Sequence, residues 1–232
     1  MFSFTKELPQ LLREAEKGSW TYLEFLESIT TFELSKQEAK SIERRIKWAR
    51  FPYFKTLQEF KVEEQIAITK RQLAQLQEYS WLEQQYNLIL LGSPGVGKTF
   101  LAVGLGIEAI QRGFQVYFVT MGELIQLLKT QEFAHKSQVQ MKRLQASDLI
   151  IIDDLMYMAM DQREANLFFQ LINHLYERSS IILTSNKSPE QWSELMGDQG
   201  ITTAILDRLL HRVEVIHMNG DSYRMKNRQH LF

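Results

Sequence analysis

The 232-residue sequence contains no cysteine, which excludes a disulfide framework and any metal site built on thiolates. Its first residues lack the apolar core of a secretory signal peptide. No run reaches the roughly 18 uncharged apolar residues that a membrane-spanning helix needs. The five histidines are scattered, without the spacing of metal ligands. We therefore expect a cytoplasmic protein with no membrane segment.

The sequence also lacks a large excess of charge of either sign, since its formal net charge is −1. Nucleic-acid binding therefore has to be judged from the local distribution of charge. It has no internal repeat, no low-complexity tract and no linker rich in glycine, proline or serine. Its length suits one α/β domain with a smaller appendage. We expect a helical domain over residues 1–60 and a second domain over residues 61–232, with a packing or connecting helix over about 62–78.

A glycine loop between an apolar run and a helical segment is the strongest motif. The apolar run is Leu88–Leu91, and the loop reads Gly92-Ser93-Pro94-Gly95-Val96-Gly97-Lys98-Thr99. Strand, glycine loop and helix form the context that a phosphate-binding P-loop requires. The backbone amides and the opening helix attract phosphate, Lys98 can reach the β- and γ-phosphates, and the Thr99 hydroxyl can hold Mg²⁺. We predict that these eight residues and Phe100 bind the nucleotide.

A second apolar run ends in two acids, as in the Walker B motif. Leu149–Ile152 predicts a fully buried parallel strand, and Asp153 and Asp154 follow it. Asp153 would hold Mg²⁺, and Asp154 would polarise the attacking water. An Asp pair that merely begins a loop is the alternative. The P-loop about 55 residues upstream favours the functional interpretation.

Two further residues follow the Walker B segment at positions that suggest catalysis. A helix is expected over residues 162–178, then a buried strand over Ser180–Thr184. Asn186, at the tip of that strand, is the predicted sensor that hydrogen-bonds the γ-phosphate or the water. An ordinary turn asparagine is the alternative. Arg208 is the candidate arginine supplied to a neighbouring subunit's γ-phosphate. A salt bridge with Asp207 or another acid would be a purely structural role.

Residues 1 to about 80 show helical periodicity. Apolar residues between Tyr22 and Phe32 recur at helical spacing and predict one buried stripe. Ser35, with Glu38 three positions later, predicts the start of a further helix that ends near Arg50.

That helix is unusually basic for a nearly neutral chain. Between residues 36 and 55 there are seven basic and two acidic residues, with aromatic residues among them. A basic helix of this kind could lie on a nucleic-acid backbone, and a solvated helix face explains the charge equally well. The candidate DNA contacts are Lys40, Arg44, Arg45, Lys47 and Arg50.

The order of these motifs resembles an AAA+ core, and several segments resemble the IstB-like family of insertion-sequence transposition helpers, relatives of the helicase loader DnaC and the initiator DnaA. In the second half the matching segments are Thr184-Ser185-Asn186, Trp192, Gly197-Asp198, Leu206-Asp207-Arg208-Leu209-Leu210-His211 and Gly220-Asp221-Ser222-Tyr223-Arg224. In the first half they are Tyr22-Leu23-Glu24-Phe25-Leu26, Ile42-Glu43-Arg44-Arg45, Ala49-Arg50-Phe51-Pro52 and Lys55-Thr56-Leu57.

The resemblance implies an α/β fold: an AAA+ P-loop NTPase core with a five-stranded parallel sheet, preceded by a small all-helical DNA-binding domain. Too little sequence follows Leu210 for a C-terminal lid domain, so we expect none. The resemblance also implies an ATP-dependent activity, in which a homo-oligomer forms on duplex DNA with little sequence preference. The oligomer would recruit and stimulate its cognate DDE transposase. Hydrolysis of ATP would then release or reset the complex. The resemblance also favours DNA binding by the basic helix and identifies Arg208 as the arginine finger.

The sequence departs from the family pattern in places. Met156 replaces a usual glycine, Asp154 is shorter than the glutamate common in AAA+ proteins, and the N-terminus looks short. The role of Arg224 does not follow from the sequence. One alternative function is a DnaC-like helicase loader that binds single-stranded DNA. Another is a metabolic P-loop kinase, against which the sensor strand and Arg208 argue.

Overall fold

The structure is a computed structural model that describes residues 8–60, 68–155, 160–192, 198–220 and 222. Its contacts divide the chain into two compact units, residues 1–45 and 46–232. The predicted boundary near residue 60, which no linker in the sequence marks, stays a prediction. None of the helices in the described ranges is both long and apolar enough to cross a membrane.

Two helices make up the described part of the first unit: α1 (Leu8–Gly18) and α2 (Tyr22–Ala49), which continues beyond residue 45. Thr21 and Glu24 cap the start of α2 reciprocally through side-chain and backbone hydrogen bonds. The predicted helix start at Ser35 is wrong, because Ser35 lies inside α2 and its hydroxyl donates to the Phe32 carbonyl oxygen at 2.8 Å. A serine can make this bond to the preceding turn, so it does not have to begin a helix.

The predicted buried stripe between Tyr22 and Phe32 is also wrong for this chain. Tyr22 is 92% exposed, Leu23 75% and Leu26 60%. The periodicity correctly predicted a helix here. The other described helix of this unit, α1, has only 11 residues, so it is too short to cover the 28-residue α2 along its length. Helical spacing identifies an apolar face without saying what covers it.

The second unit begins with the end of α2 and a short segment that packs on the core. Ala49 and Leu57 are buried, and Leu57 opens a 3-10 helix (Leu57–Glu59). A side chain at Gly104 would overlap Leu57, so glycine permits this close approach. The helix predicted over 62–78 begins instead at Lys70, as α3 (Lys70–Gln77). Thr69 caps its start, because the Thr69 hydroxyl oxygen accepts from the Gln72 N–H. Residues 61–67 lie outside the described part.

A five-stranded parallel sheet forms the centre of this unit, as expected. The strand order is β2-β3-β4-β1-β5, and all four neighbouring pairs are parallel. All strands therefore end at one edge, where a site can assemble. The strands are β1 (Asn87–Leu91), β2 (Val116–Thr120), β3 (Leu149–Asp153), β4 (Ser180–Ser185) and β5 (Val213–His217).

Helices cover both faces of the sheet, which explains why the central strands are apolar throughout. On one face, residues of α6, α7, α8 and α10 join alternate strand residues in a single core cluster. On the other face α5 packs on the sheet, with Ile151 against Gly106. The helices are α4 (Ser80–Glu83), α5 (Lys98–Gln111), α6 (Met121–Thr130), α7 (His135–Gln145), α8 (Gln162–Leu175), α9 (Pro189–Trp192) and α10 (Gln199–Leu210).

One helix of this unit is shorter than predicted. α8 ends at Leu175 rather than Arg178, because Tyr176 leaves the helical conformation (φ −54°, ψ 127°) and Glu177 takes a left-handed one (φ 56°). Such a left-handed residue is a common way for a helix to end, and it needs no glycine signal in the sequence.

Candidate nucleotide-binding site

The glycine loop joins β1 to α5 at the carboxyl edge of the sheet. Gly95 (φ 84°) and Gly97 (φ 100°) adopt backbone conformations that side chains disfavour, and Gly97 caps the 14-residue α5. The first turn of α5, which includes Phe100, therefore presents backbone N–H groups to the space above the loop. Such an arrangement attracts anions through hydrogen bonds and the helix dipole together.

Lys98 lies at the mouth of this loop. Its side chain is only 7% exposed, and its ammonium donates to the carbonyl oxygens of Gly92 at 2.7 Å and Ser93 at 3.0 Å. The loop itself therefore holds the cation close to where the backbone amides converge. A phosphate bound by those amides would be within reach of this positive charge.

The two Walker elements meet at Asp153. Thr99 donates from its hydroxyl to the two carboxylate oxygens of Asp153 at 2.9 and 3.1 Å. The Thr184 hydroxyl donates to the same carboxylate at 2.6 Å. Burial raises the pKa of the Asp153 carboxyl, and the bonds from Thr184 and Thr99 oppose that rise. The three side chains form a closed hydrogen-bonded cluster on β3, β4 and the start of α5.

Asp154 is placed differently from its neighbour. Its side chain is exposed, and its backbone is left-handed (φ 55°) at the end of β3. The Asp154 N–H donates to the Thr184 hydroxyl oxygen at 2.9 Å, which ties this unusual conformation to β4. One carboxylate therefore points into the cluster while the next is open to water.

Thr184 was missed as a site residue in the sequence. It is completely buried in β4 and bonds to both acids. The available signal was a hydroxyl in an otherwise apolar strand run, two residues before Asn186. β-Branched threonine is common in strands, so that signal is weak on its own.

The residues present fit a bound Mg²⁺. The Thr99 hydroxyl and Asp153 carboxylate are hard oxygen ligands of the kind that Mg²⁺ prefers together with phosphate oxygens. Within the described ranges no group of three or more acidic, histidine or cysteine side chains forms a separate metal site.

Asn186 lies beside the glycine loop. It follows the last residue of β4 directly and is exposed. The Gly92 N–H donates to the carbonyl oxygen of Ser185 at 3.2 Å, so the strand tip adjoins the start of the loop. The fold thus brings Asn186 to the same edge as Lys98 and Asp154.

Arg208 is not brought to this site in its own chain. It lies on α10, which packs against α8, and its guanidinium stacks on Phe169 with 5.0 Å to the ring centroid. Its Nε donates to Asn173 at 3.0 Å and its Nη1 to the Ala204 carbonyl oxygen at 2.9 Å. Among the described residues it contacts no carboxylate, so the predicted alternative of a salt bridge with Asp207 finds no support there.

The predicted DNA-contact residues lie in the last turns of α2 and immediately after it. Lys40, Arg44 and Lys47 are exposed, and Arg45 is half-buried. Arg50 differs from them, because it follows the helix with φ 61° and donates to the Tyr117 hydroxyl at 3.3 Å. Its guanidinium is therefore engaged with β2.

A comparison with family models matches residues 2–231 to the IstB-like ATP-binding protein family. The chain belongs to this family. An IstB-like relative from Pseudomonas aeruginosa, named for ATP binding and insertion sequence IS21, is 39% identical over 94% of this chain and 83% of its own length. A relative from Bacteroides fragilis with an IS21-like name is 38% identical over 96% of this chain and 84% of its own.

Solved structures share the fold of this IstB-like chain. The DnaC helicase loader is 23% identical with a TM-score of 0.53, over 63% of this chain and 86% of that one. AMPPCP-bound DnaA from Aquifex aeolicus is 24% identical with a TM-score of 0.56, over 74% of this chain and 52% of that one. These likenesses agree with the predicted α/β fold around a five-stranded parallel sheet, and they show the fold alone.

Some residues that carried the resemblance lie outside the described part of the chain: Met156, Gly197, Asp221, Tyr223 and Arg224. Asp198 and Ser222 are described. Asp198 caps α10 by accepting from the Ile201 N–H at 2.9 Å. That cap helps to fix the helix that carries Arg208.

Proposed function

We propose that this IstB-like protein binds ATP with Mg²⁺ at the glycine loop and hydrolyses it. The observation that carries the proposal is the hydrogen-bonded cluster of Thr99, Asp153 and Thr184. It joins the phosphate-binding loop to the acid-tipped strand and to the strand that bears Asn186. An accidental glycine turn gives no reason for a buried carboxylate to be shared between those elements.

In this proposal each side chain has a separate task. The loop amides and Lys98 neutralise the phosphates. Thr99 and Asp153 hold Mg²⁺, which when bound would stabilise charge on the phosphate oxygens. Asp154 is exposed, so it can orient the attacking water and accept its proton. Asn186 at the adjoining strand tip would hydrogen-bond the γ-phosphate or the water.

The position of Arg208 supports a catalytic site shared between copies of the chain. Its guanidinium contacts Phe169 and Asn173 of α8 rather than its own glycine loop. These contacts hold a cation without neutralising it, since neither partner is charged. We assign Arg208 to the γ-phosphate of a neighbouring copy, where it would stabilise the transition state. The active form would then be a homo-oligomer.

DNA binding and transposase recruitment complete the proposed function. The names of the relatives associate them with insertion sequences. The exposed cations at the end of α2 suit contacts with phosphates, which carry little sequence information. We propose that the ATP-bound oligomer assembles on duplex DNA, recruits the cognate DDE transposase, and resets after hydrolysis. The likeness to the helicase loader is one of fold, so it does not favour loading of a helicase.

A hydrolysis assay tests the ATPase assignment. Wild-type protein should release phosphate from ATP, and Lys98→Ala should neither bind nor hydrolyse ATP measurably. Arg112→Ala, which removes one positive charge elsewhere in the same unit, is the matched control. Tight ATP binding by Lys98→Ala would contradict the assignment.

A salt series tests the DNA contacts. Replacing Arg44, Arg45 and Lys47 together by alanine should weaken duplex binding and reduce the slope of log affinity against log salt by up to about 3, close to 0.9 for each phosphate that the variant no longer neutralises. The control removes the same charge from exposed positions elsewhere: Arg71, Arg163 and Arg178. An unchanged slope in the variant that lacks Arg44, Arg45 and Lys47 would indicate that the basic helix face is simply solvated and does not contact DNA.

A further inference from the structure

The chain after β5 crosses the glycine loop. The Met218 N–H donates to the carbonyl oxygen of Leu91 at 2.6 Å, and Met218 is fully buried. A Cβ at Gly92 would overlap the Met218 carbonyl oxygen. We call residues 218–220 together with Ser222 the strap. It is fixed to the end of β1 and to the first residue of the loop.

Ser222 brings the strap to the middle of the loop. A Cβ at Gly95 would overlap the Ser222 Oγ and lie 3.1 Å from its Cβ and 3.5 Å from its Cα. Gly95 has φ 84°, so its conformation also favours glycine. Two glycines of the loop thus lie directly beneath the strap. A side chain at Gly92 would meet the strap backbone, and one at Gly95 would force the Ser222 side chain to move.

The Ser222 hydroxyl has the chemistry and the access to bind a ligand. The residue is half-buried rather than enclosed, and within the described ranges its hydroxyl has no hydrogen-bond partner. It packs on a residue of the loop whose amides converge on phosphate. A hydroxyl can donate to an anionic oxygen, and such charge-assisted bonds are stronger than neutral ones.

We propose that Ser222 is an additional nucleotide-binding residue, whose hydroxyl donates to the phosphate chain of ATP held by the glycine loop. The strap then forms the upper wall of the phosphate site, and bound nucleotide fixes its position. The inference rests on the proposed binding of ATP at this loop. No residue of the Gly220–Arg224 motif has a part in the catalytic site proposed above. The inference gives one of them, Ser222, a ligand-binding role.

Equilibrium binding of ATP tests the inference with three variants. Ser222→Ala should bind ATP about tenfold more weakly than wild type, as expected for loss of one hydrogen bond to a charged group. Asn219→Ala, an exposed change in the same segment, should bind like wild type. Lys98→Ala reports on the loop itself. If Lys98→Ala loses binding while Ser222→Ala matches wild type, the Ser222 inference is wrong and the P-loop proposal stands. If Lys98→Ala binds normally, the P-loop proposal fails too.

Tripolyphosphate as a competing ligand identifies the part of the nucleotide that Ser222 contacts. Donation to the phosphate chain predicts that Ser222→Ala weakens tripolyphosphate and ATP binding by similar factors. Weakening confined to ATP would place the contact on the ribose or base and overturn the phosphate assignment.

A double variant tests the packing of the strap on the loop. Gly95→Ala should weaken ATP binding strongly, because its methyl group meets the Ser222 side chain. Ser222→Gly leaves only the Cα at 3.5 Å, which is ordinary contact. Because Ser222→Gly itself removes the phosphate contact, the packing predicts losses that are not additive: the double variant should bind ATP more tightly than the product of the two single losses gives. Losses that multiply fully would show that the strap does not rest on Gly95 in solution.

Discussion

Replacing Thr184 by valine would test how the two acids of the site are positioned. Valine has nearly the shape of threonine, so the buried volume is kept while the hydroxyl is lost. The change removes the 2.6 Å bond to Asp153 and leaves the Asp154 N–H without its 2.9 Å acceptor. That N–H belongs to a residue in a left-handed conformation, which only its surroundings stabilise.

The magnitude follows from these two bonds. A hydrogen bond to a charged group contributes about 1.5–3 kcal/mol, and an ordinary backbone hydrogen bond contributes about 0.5–1.5 kcal/mol. Because the two effects share one hydroxyl, we expect a combined loss of roughly 2–4 kcal/mol in unfolding free energy. With both acids less well held, hydrolysis should fall about 10- to 100-fold, equivalent to about 1.4–2.7 kcal/mol in the barrier.

The assay is steady-state ATP hydrolysis over a Mg²⁺ titration, with urea unfolding on the same samples. Thr184→Ser is the matched control, because it keeps the hydroxyl and loses only a methyl group. Serine should retain most of the activity despite a stability loss of about 1 kcal/mol. If valine hydrolyses ATP as fast as serine does, the hydroxyl does not position the acids and the reasoning is refuted.

Three other changes test separate parts of the molecule. Asp154→Asn should bind ATP as wild type does and hydrolyse it at least about tenfold more slowly; equal turnover would assign the water to another group. Arg208→Ala should be inactive alone. Mixing it with excess Lys98→Ala should restore part of the hydrolysis, because the Lys98→Ala copy supplies an intact Arg208 to the intact P-loop of an Arg208→Ala neighbour. No recovery of hydrolysis in mixed oligomers would argue against a site shared between copies. Leu57→Ala should lower unfolding free energy by about 2–4 kcal/mol in urea titrations, whereas the half-exposed Tyr53→Ala should cost less; equal losses would show that Leu57 is not part of the core.

The phosphate loop and its strands could be predicted because local sequence determines them. Continuous apolar runs predict strands buried on both faces, and parallel strands bring their carboxyl ends to one edge. Lys98, Asp153 and Asn186 each follow such a run, so their meeting at one edge of the sheet could be anticipated. The structure places all three there.

Contacts between distant segments could not be predicted in the same way. Thr184 looks like any β-branched strand residue until its partners, 30 and 31 positions away, are known. The Ser35 and Glu38 pair fits both a helix start and a helix interior, so the pattern could not show that α2 is continuous. The exposure of Tyr22 could not be predicted either. Helical periodicity identifies the apolar face of a helix, but it does not show whether another element packs on that face.

In the proposed function, ATP binding at the glycine loop controls assembly on DNA. The most direct measurement is binding of a labelled linear duplex and the matching single strand, with and without ATP, over a salt series, for wild type and Lys98→Ala. We predict cooperative binding that prefers the duplex, requires ATP and is lost in Lys98→Ala. Preference for the single strand would support a helicase-loader function instead, and duplex binding that is indifferent to ATP and to Lys98 would contradict the claim.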